Sequence, residues 1–177
     1  CNPEIEKLFP LQSRETDIEK RKKIVYDIDR KLLEDGARPI IMWNASASVP
    51  VGLYRLQSID KLHATELVVV VPPEPLATFL VEGNYLPRGV PMLKHILALP
   101  GQTVCRDGLV VTINKVAVGM ARERDRRGRA LPVWQGCRVV AQDALFLMNL
   151  RSADSLDGRY FGPLPLSAVI GRAHPVW

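Results

Sequence analysis

The 177-residue sequence lacks several features that would point directly to a class of protein. No apolar run reaches the ~18 residues of a membrane-spanning helix, and no signal peptide is recognisable. Aromatic and basic residues are not interleaved, which argues against nucleic acid as a partner. The cysteines lack the CxxC spacing of a zinc site, and no cofactor motif is present, so we expect neither a metal nor a cofactor.

Histidine is scarce, and this restricts the choice of a catalytic base. The three histidines, His63, His95 and His174, show no recognisable triad spacing. Residues 58–61 (SIDK) fit an S-x-x-K pattern, but the SDN and KTG motifs that accompany it in penicillin-binding proteins are absent. We therefore discount a penicillin-binding function.

What the sequence contains is a normal apolar fraction and a net charge of +5. The length suits one domain with a small appendage, and the charge favours anionic surroundings such as a membrane surface. Because the sequence begins with Cys1 rather than Met, we expect a fragment or a processed product. Cys105 and Cys137 lie in one β-rich region and could pair in an oxidising compartment, with Cα atoms ~4.4–6.8 Å apart.

The hydrophobic pattern changes from helical to strand-like along the chain. Ile24, Ile28 and Leu32 recur four residues apart, which predicts a helix over about 17–35 that Gly36 ends. From Leu53 onward, short β-branched runs between Pro and Gly predict strands, among them 67–71, 93–99, 138–140, 144–148 and 169–173. Hairpins are predicted around 107–108 and within 111–118, a loop over 74–92, and a solvated surface loop over the charge run 122–129.

Residues 44–54 (NASASVPVGLY) are the first candidate for chemistry. Pro50 fixes its own φ and Gly52 permits conformations closed to other residues, so the segment cannot be a helix interior. It fits a rigid, extended turn that holds one serine hydroxyl outward. An ordinary Ser/Pro/Gly loop is the alternative.

Lys94 is the second candidate, in the segment 92–101 (MLKHILALPG). On a strand it would share a face with Met92 and Ile96. Burial among apolar groups lowers the pKa of a lysine, and a neutral amine can act as a general base. A lysine on an edge strand in water is the alternative.

The third candidate is the segment 154–163 (DSLDGRYFGP). In an extended backbone Asp157 and Arg159 lie on one side and could pair, and Ser155 could donate a hydrogen bond from that side. A polar turn with a surface ion pair is the alternative.

Three such segments in this order resemble the signal peptidase I family of Ser/Lys proteases, in particular its conjugative-transfer, TraF-type branch. The resemblance covers residues 44–177 and implies a mainly β fold (α+β overall), a signal-peptidase-like antiparallel β domain with an N-terminal helical appendage. It implies that Ser48 is the nucleophile and Lys94 its general base, within ~2.6–3.2 Å of each other or slightly farther apart without substrate. Ser46 and the backbone N–H of Ser48 would form the oxyanion hole.

The resemblance also assigns roles in the third segment. Ser155 matches the serine that orients the base lysine, and Asp157 and Arg159 match a pair that braces the site. Two departures occur: Pro50 follows Ser48 at a shorter spacing than in many signal peptidases, a form found in the conjugative branch, and Gly158 replaces a usual serine.

The N-terminal segment resembles a different family. Residues 1–9 (CNPEIEKLF), 19–32 (EKRKKIVYDIDRKL) and 34–41 (EDGARPII) are similar to a late part of a periplasmic peptide-binding protein of an ABC transporter. We therefore expect a fusion with its break near Asn44, dividing the chain into residues 1–43 and 44–177. This segment stands where the signal peptidase family has a membrane anchor.

These observations predict a serine endopeptidase that cleaves a secreted or pilin precursor after small residues, through an acyl-enzyme on Ser48. Cyclisation by an amine could replace hydrolysis. The resemblance implies a location in the periplasm or at the periplasmic face of the inner membrane, with membrane-surface association. Because the sequence contains no recognisable anchor, a cytoplasmic location is the alternative. The rival interpretations are an inactive fusion relic and a fragment of a peptide-binding transport protein.

Overall fold

A computed structural model describes residues 7–8, 10–11, 14–34, 41–59 and 61–176, so Cys1 and Gly36 lie outside the described residues. The helices are α1 (Ile18–Glu34), α2 (Leu76–Glu82) and α3 (Gly158–Phe161), with a 3-10 turn at Leu166–Ala168. The strands are β1 (Ile41–Asn44), β2 (Gly52–Gln57), β3 (Leu67–Val70), β4 (Met92–Ala98), β5 (Thr103–Asp107), β6 (Val110–Ile113), β7 (Val116–Met120), β8 (Gly136–Val139), β9 (Ala144–Met148), β10 (Leu164–Pro165) and β11 (Val169–Pro175).

The strands form two antiparallel sheets. The larger has seven strands in the order β1-β2-β11-β3-β4-β9-β10, and the smaller has four in the order β7-β6-β5-β8. Every strand pair is antiparallel. The mainly β, antiparallel class predicted from the sequence is therefore confirmed.

The core lies around β3 and β4, in the interior of the larger sheet. Val68, Val69 and Val70 of β3 are fully buried. This follows from a continuous β-branched run, which packs well on a sheet surface. Strand β4 runs between β3 and β9, and five of its seven residues are buried. A polar side chain on β4 is consequently held in an apolar environment.

Two elements depart from the sequence prediction. Helix α2 occupies part of the segment predicted as loop, because Pro75 and Gly83 stand at the two ends of the helix while Leu76 and Leu80 bury one of its faces. Strand β1 begins ahead of the boundary placed between residues 43 and 44. It pairs with β2 from Ile41 to Asn44, so residues 41–43 belong to the larger sheet.

Other predictions agree closely with the structure. Helix α1 spans Ile18–Glu34 where 17–35 was expected, and its Tyr26 reaches the cleft beside Ser46. The β5–β6 hairpin turns at Gly108, with φ 57°, and the β6–β7 hairpin at Asn114 and Lys115. Within the described ranges, no helix combines the length and apolar character needed to cross a bilayer.

The two cysteines expected to pair face each other across the smaller sheet. Cys105 of β5 lies directly opposite Cys137 of β8, and their sulfur atoms are 2.06 Å apart, a disulfide. Their Cα atoms are 4.0 Å apart, closer than the expected range, because the two residues are direct cross-strand partners.

Candidate active site

The loop between β1 and β2 carries the candidate serines and is organised by Asn44. This side chain is buried, and its Nδ2 donates to the carbonyl oxygens of Ser46 (2.8 Å), Val49 (3.2 Å) and Pro50 (3.0 Å). Its Oδ1 accepts from the backbone N–H of Ser46 at 3.1 Å and from the Ser46 hydroxyl at 2.9 Å. One amide thus satisfies polar groups along the whole loop, which fixes its path.

Apolar contacts attach this loop to the core. Val49, directly after Ser48, is buried in a cluster that also contains Leu93, the residue before Lys94. The Tyr54 hydroxyl donates to the carbonyl oxygen of Pro50 at 2.6 Å. The serine loop and the lysine strand are therefore positioned by the same packed cluster.

Ser46 and Ser48 form a short hydrogen-bonded chain. Their hydroxyl oxygens are 3.1 Å apart, and because the Ser46 hydroxyl donates to Asn44, Ser48 is the donor to Ser46. Ser48 is half-buried and Ser46 is exposed. The Ser48 hydroxyl is therefore the less exposed end of this chain, and it lines the cleft beside the loop.

Lys94 lies on β4 opposite Val68 and is only 5% exposed. Burial in this apolar strand lowers its pKa to about 8, although the negative charge of Asp157 acts in the opposite direction. Its Nζ donates to the hydroxyl oxygen of Ser155 at 2.8 Å. The structure therefore places a lysine with an easily lost proton beside the residue predicted to orient it.

Asp157 and Arg159 form a buried ion pair beneath this lysine. Arg159 donates through Nε (2.9 Å) and Nη2 (2.8 Å) to the Asp157 carboxylate, and both side chains are almost fully buried. Nη2 also donates to the carbonyl oxygens of Ser152 (2.7 Å) and Ser155 (3.1 Å). Arg159 therefore fixes the backbone on which Ser155 stands.

Asn149 completes the site, although no local pattern in the sequence pointed to it. Its buried side chain accepts from the backbone N–H of His95 at 3.2 Å and donates to the carbonyl oxygen of Leu93 at 3.0 Å. Its own backbone N–H donates to Asp157 at 3.1 Å. Because β9 ends at Met148, this side-chain amide extends the β4 ladder past Lys94. Asn44 was missed for the same reason: a lone Asn carries no spacing signal.

Ser48, Lys94 and Ser155 line one cleft of about 380 Å³. Ser46 lies on the same surface, together with apolar residues of β4, α2 and the loop after α2. Asp157 and Arg159 support the site from below through the bonds described above. Within the described part of the chain, no three His, Cys, Asp or Glu side chains converge as metal ligands would.

Comparison with known proteins identifies the family of this chain. Residues 35–177 match the family described as signal peptidase, peptidase S26. The chain belongs to that family. It is 36% identical to a conjugal transfer protein TraF of Agrobacterium fabrum over 76% of this chain and 80% of the relative. A probable conjugal transfer protein TraF of Sinorhizobium fredii is 32% identical over 75% of this chain and 74% of the relative.

A crystal structure of a signal peptidase I from Enterococcus faecalis also resembles this S26 chain. The sequence identity is 19%, the TM-score is 0.40, and the match covers 65% of this chain and 98% of that one. The resemblance to signal peptidases and their TraF-type branch is thus confirmed by the family match and the TraF relatives. The resemblance of residues 1–43 to an ABC-transporter binding protein is not supported, since the S26 match begins inside that segment, at residue 35.

The structure shows no direct hydrogen bond between the two described residues that are predicted to be catalytic in this S26 site. Ser48 and Lys94 were predicted within hydrogen-bond reach, but among the described residues no hydrogen bond joins them. Each has a nearer partner: the Ser48 hydroxyl bonds Ser46, and Lys94 bonds Ser155. Catalytic contacts are often loose without substrate, because they tighten only when the substrate binds.

Asn44 provides a test of how the serine loop is held. Asn44→Asp removes both Nδ2 donors and places a carboxylate against three carbonyl oxygens, so we expect it to lower the free energy of unfolding by about 1–3 kcal/mol. Urea denaturation measures this. Asn114→Asp is the matched control: Asn114 uses only its oxygen, accepting from the Thr103 N–H, so a change within about 0.5 kcal/mol is expected. Equal losses would show that the Asn44 network contributes little.

Proposed function

We propose that this chain is a Ser/Lys endopeptidase that cleaves a precursor protein after small residues. Ser48 is the nucleophile, Lys94 is the general base, and Ser155 positions the lysine. Ser46 and the backbone N–H of Ser48 stabilise the oxyanion. Asp157 and Arg159 hold the Ser155 backbone and do not touch substrate.

The observation that carries this proposal is the state of Lys94. An ordinary lysine has a pKa of about 10.4 and is almost entirely charged at neutral pH, so it cannot accept a proton. With its pKa lowered to about 8, roughly a tenth of Lys94 is neutral at pH 7. This lysine and Ser48 line the same cleft. A serine with a nearby base is the basic requirement of covalent acyl transfer.

The proposed reaction begins with rotation of the Ser48 side chain away from Ser46 and toward Lys94. Neutral Lys94 accepts the hydroxyl proton while Ser48 Oγ bonds to the scissile carbonyl carbon. The carbonyl oxygen becomes an oxyanion, and it accepts hydrogen bonds from the Ser48 N–H and from the Ser46 hydroxyl, which turns from Asn44 Oδ1 to donate to it. Collapse of this intermediate expels the amine, which takes the proton from Lys94, and leaves an ester on Ser48.

The ester then reacts with water or with an amine. For water, Lys94 accepts one water proton as the hydroxide oxygen bonds to the carbonyl carbon, and Ser48 recovers its proton on release. An N-terminal amine of the same peptide would give a cyclic product by the same route. The curated relatives are named for conjugal transfer, so we propose a pilin precursor as substrate and the periplasmic face of the inner membrane as location.

Trapping the acyl-enzyme tests this function. Because an N-terminal cysteine captures thioesters without catalysis, the purified Cys1→Ser chain is mixed with a peptide thioester that ends in alanine, and intact-mass spectrometry follows the protein. We expect a mass gain equal to the peptide acyl group, located on Ser48 by peptide mapping, and no gain in Ser48→Ala. Acylation of another residue, or none at pH 9, would reject the assignment and favour an inactive relic.

The pH dependence of the rate provides a second test. Lys94 must lose its proton to act, so kcat/KM should rise with pH through about 8 and level off above it. Well below that pH the rate should fall about tenfold per pH unit. The measurement uses a peptide without titratable groups, with folding checked at each pH. A profile that is flat through this range, or that falls with rising pH, would contradict Lys94 as the base.

A further inference from the structure

The charge run 122–129, predicted as a solvated surface loop, is mostly exposed and lies along the candidate site. Its five arginines, with Asp125, line the cleft that holds Ser48 and Lys94. An isolated β-bridge joins Arg124 to Ala130, so the segment is a hairpin. We call residues 122–130 the arginine hairpin.

Asp125 gives the arginine hairpin a fixed shape. Its Oδ1 accepts from the backbone N–H groups of Arg127 (2.8 Å) and Arg129 (2.9 Å). Its Oδ2 accepts from the Tyr85 hydroxyl at 2.7 Å and from Arg129 Nε at 2.7 Å. The Arg129 guanidinium also lies over the Tyr85 ring, 4.2 Å from its centroid. The tip of the hairpin is therefore held against Tyr85, in the loop that follows α2.

The charges of the hairpin are only partly compensated. Arg122 and Arg126 share the carboxylate of Asp154, and Arg129 pairs with Asp125. Arg124 donates to the carbonyl oxygen of Gly128, a neutral group. In the described part of the chain, neither Arg124 nor Arg127 forms an ion pair, and both are exposed. Two positive charges therefore line the cleft without an ion-pair partner within the described ranges, and Glu123, the other carboxylate of the hairpin, does not line the cleft.

A cleft wall with two uncompensated guanidinium groups attracts carboxylates, since opposite charges a few ångströms apart attract even near a protein surface. We expect the ligand of these arginines to be the substrate peptide, because they line the same concave cleft as the proposed nucleophile. An anionic lipid surface would need a projecting face instead. We infer that the arginine hairpin is a specificity element that favours substrates with an acidic side chain near the scissile bond. This inference rests on the proposed function.

The test compares three peptides that share small residues at the cleavage position and differ only in two flanking residues, Asp, Asn or Lys. We expect kcat/KM to be about fivefold higher for the Asp peptide than for the Asn peptide and lowest for the Lys peptide. The difference should lie in KM and shrink at high salt, because salt screens exposed charges. Arg124→Gln with Arg127→Gln should bring the Asp/Asn ratio to about one, and Arg127→Glu should invert the order.

Arg55→Gln with Lys115→Gln is the matched control, because it removes two exposed charges that do not line the cleft. It should keep both the basal rate and the Asp/Asn ratio. Equal ratios for the wild type and the arginine variants would overturn the inference. The inference would also be overturned if the arginine variants no longer co-sedimented with phosphatidylglycerol vesicles while their Asp/Asn ratio stayed that of the wild type. The arginines would then bind lipid.

A binding measurement separates this inference from the proposed function. Fluorescence anisotropy with Ser48→Ala reports peptide affinity without cleavage. Tighter binding of the Asp peptide supports the inference even if the wild type cleaves nothing, whereas equal binding of all three peptides overturns it. Absence of both cleavage and an acyl-enzyme, with the Asp preference retained in binding, would reject only the proposed catalysis.

Discussion

Replacement of Lys94 by alanine should lower hydrolysis of a precursor peptide by on the order of a thousandfold or more. The Ser48 hydroxyl would lose its proton acceptor, and a protonated serine hydroxyl is a poor nucleophile. Steady-state cleavage of an alanine-containing peptide measures the loss. Lys61→Ala, which removes an exposed lysine, should leave the rate unchanged.

Lys94→Arg separates the loss of a base from the loss of a side chain. Arginine keeps a long, positively charged side chain, but it does not deprotonate at accessible pH, so turnover should be lost as completely as with alanine. Both variants should still bind peptide. A rate close to that of the wild type in Lys94→Arg would show that Lys94 is not the base. His95, which contacts Asn149 through Nδ1, would then be the first alternative.

The second large effect concerns stability. Arg159→Met should lower the free energy of unfolding by about 3–5 kcal/mol, because it leaves the Asp157 carboxylate buried without its cation. It also removes the donor to the carbonyl oxygens of Ser152 and Ser155. Urea denaturation measures the loss.

The surface pair Arg88–Glu74 supplies the matched control for this prediction. Both of its side chains are more than half exposed, so Arg88→Met should cost no more than about 1 kcal/mol. The double variant Asp157→Asn/Arg159→Met removes both charges and should be less destabilised than the sum of the single variants. Additive losses would show that the two residues are not coupled and that the ion pair is not the source of the stability.

The elements that the sequence identified are those with a local physical signature. The β-branched run of β3 and the Asp107–Gly108 turn depend on neighbouring residues only, so both could be predicted. Helix α2 was missed because Pro and Gly at its two ends were interpreted as signs of a loop. Strand β1 was missed because four residues carry too short a pattern.

The candidate site divides in the same way. The three segments with Ser48, Lys94 and Asp157 could be recognised because each is a contiguous motif and the three follow in a fixed order. The lowered pKa of Lys94 could be predicted in direction from its apolar neighbours. The absence of a direct Ser48–Lys94 hydrogen bond could not be predicted, because a sequence does not show which partner a hydroxyl bonds when no substrate is bound.

By itself, then, the sequence determined the order of the motifs and the antiparallel β class, and it predicted which residues would exchange a proton. Tertiary structure alone decided three other features: the amide of Asn44 that holds the serine loop, the amide of Asn149 that extends β4 past Lys94, and the position of the arginine hairpin along the cleft. The physical reason is that these roles depend on contacts between distant segments. A buried amide or an exposed arginine has the same local pattern whether or not its partner is nearby, and only the packed sheets bring the partners together.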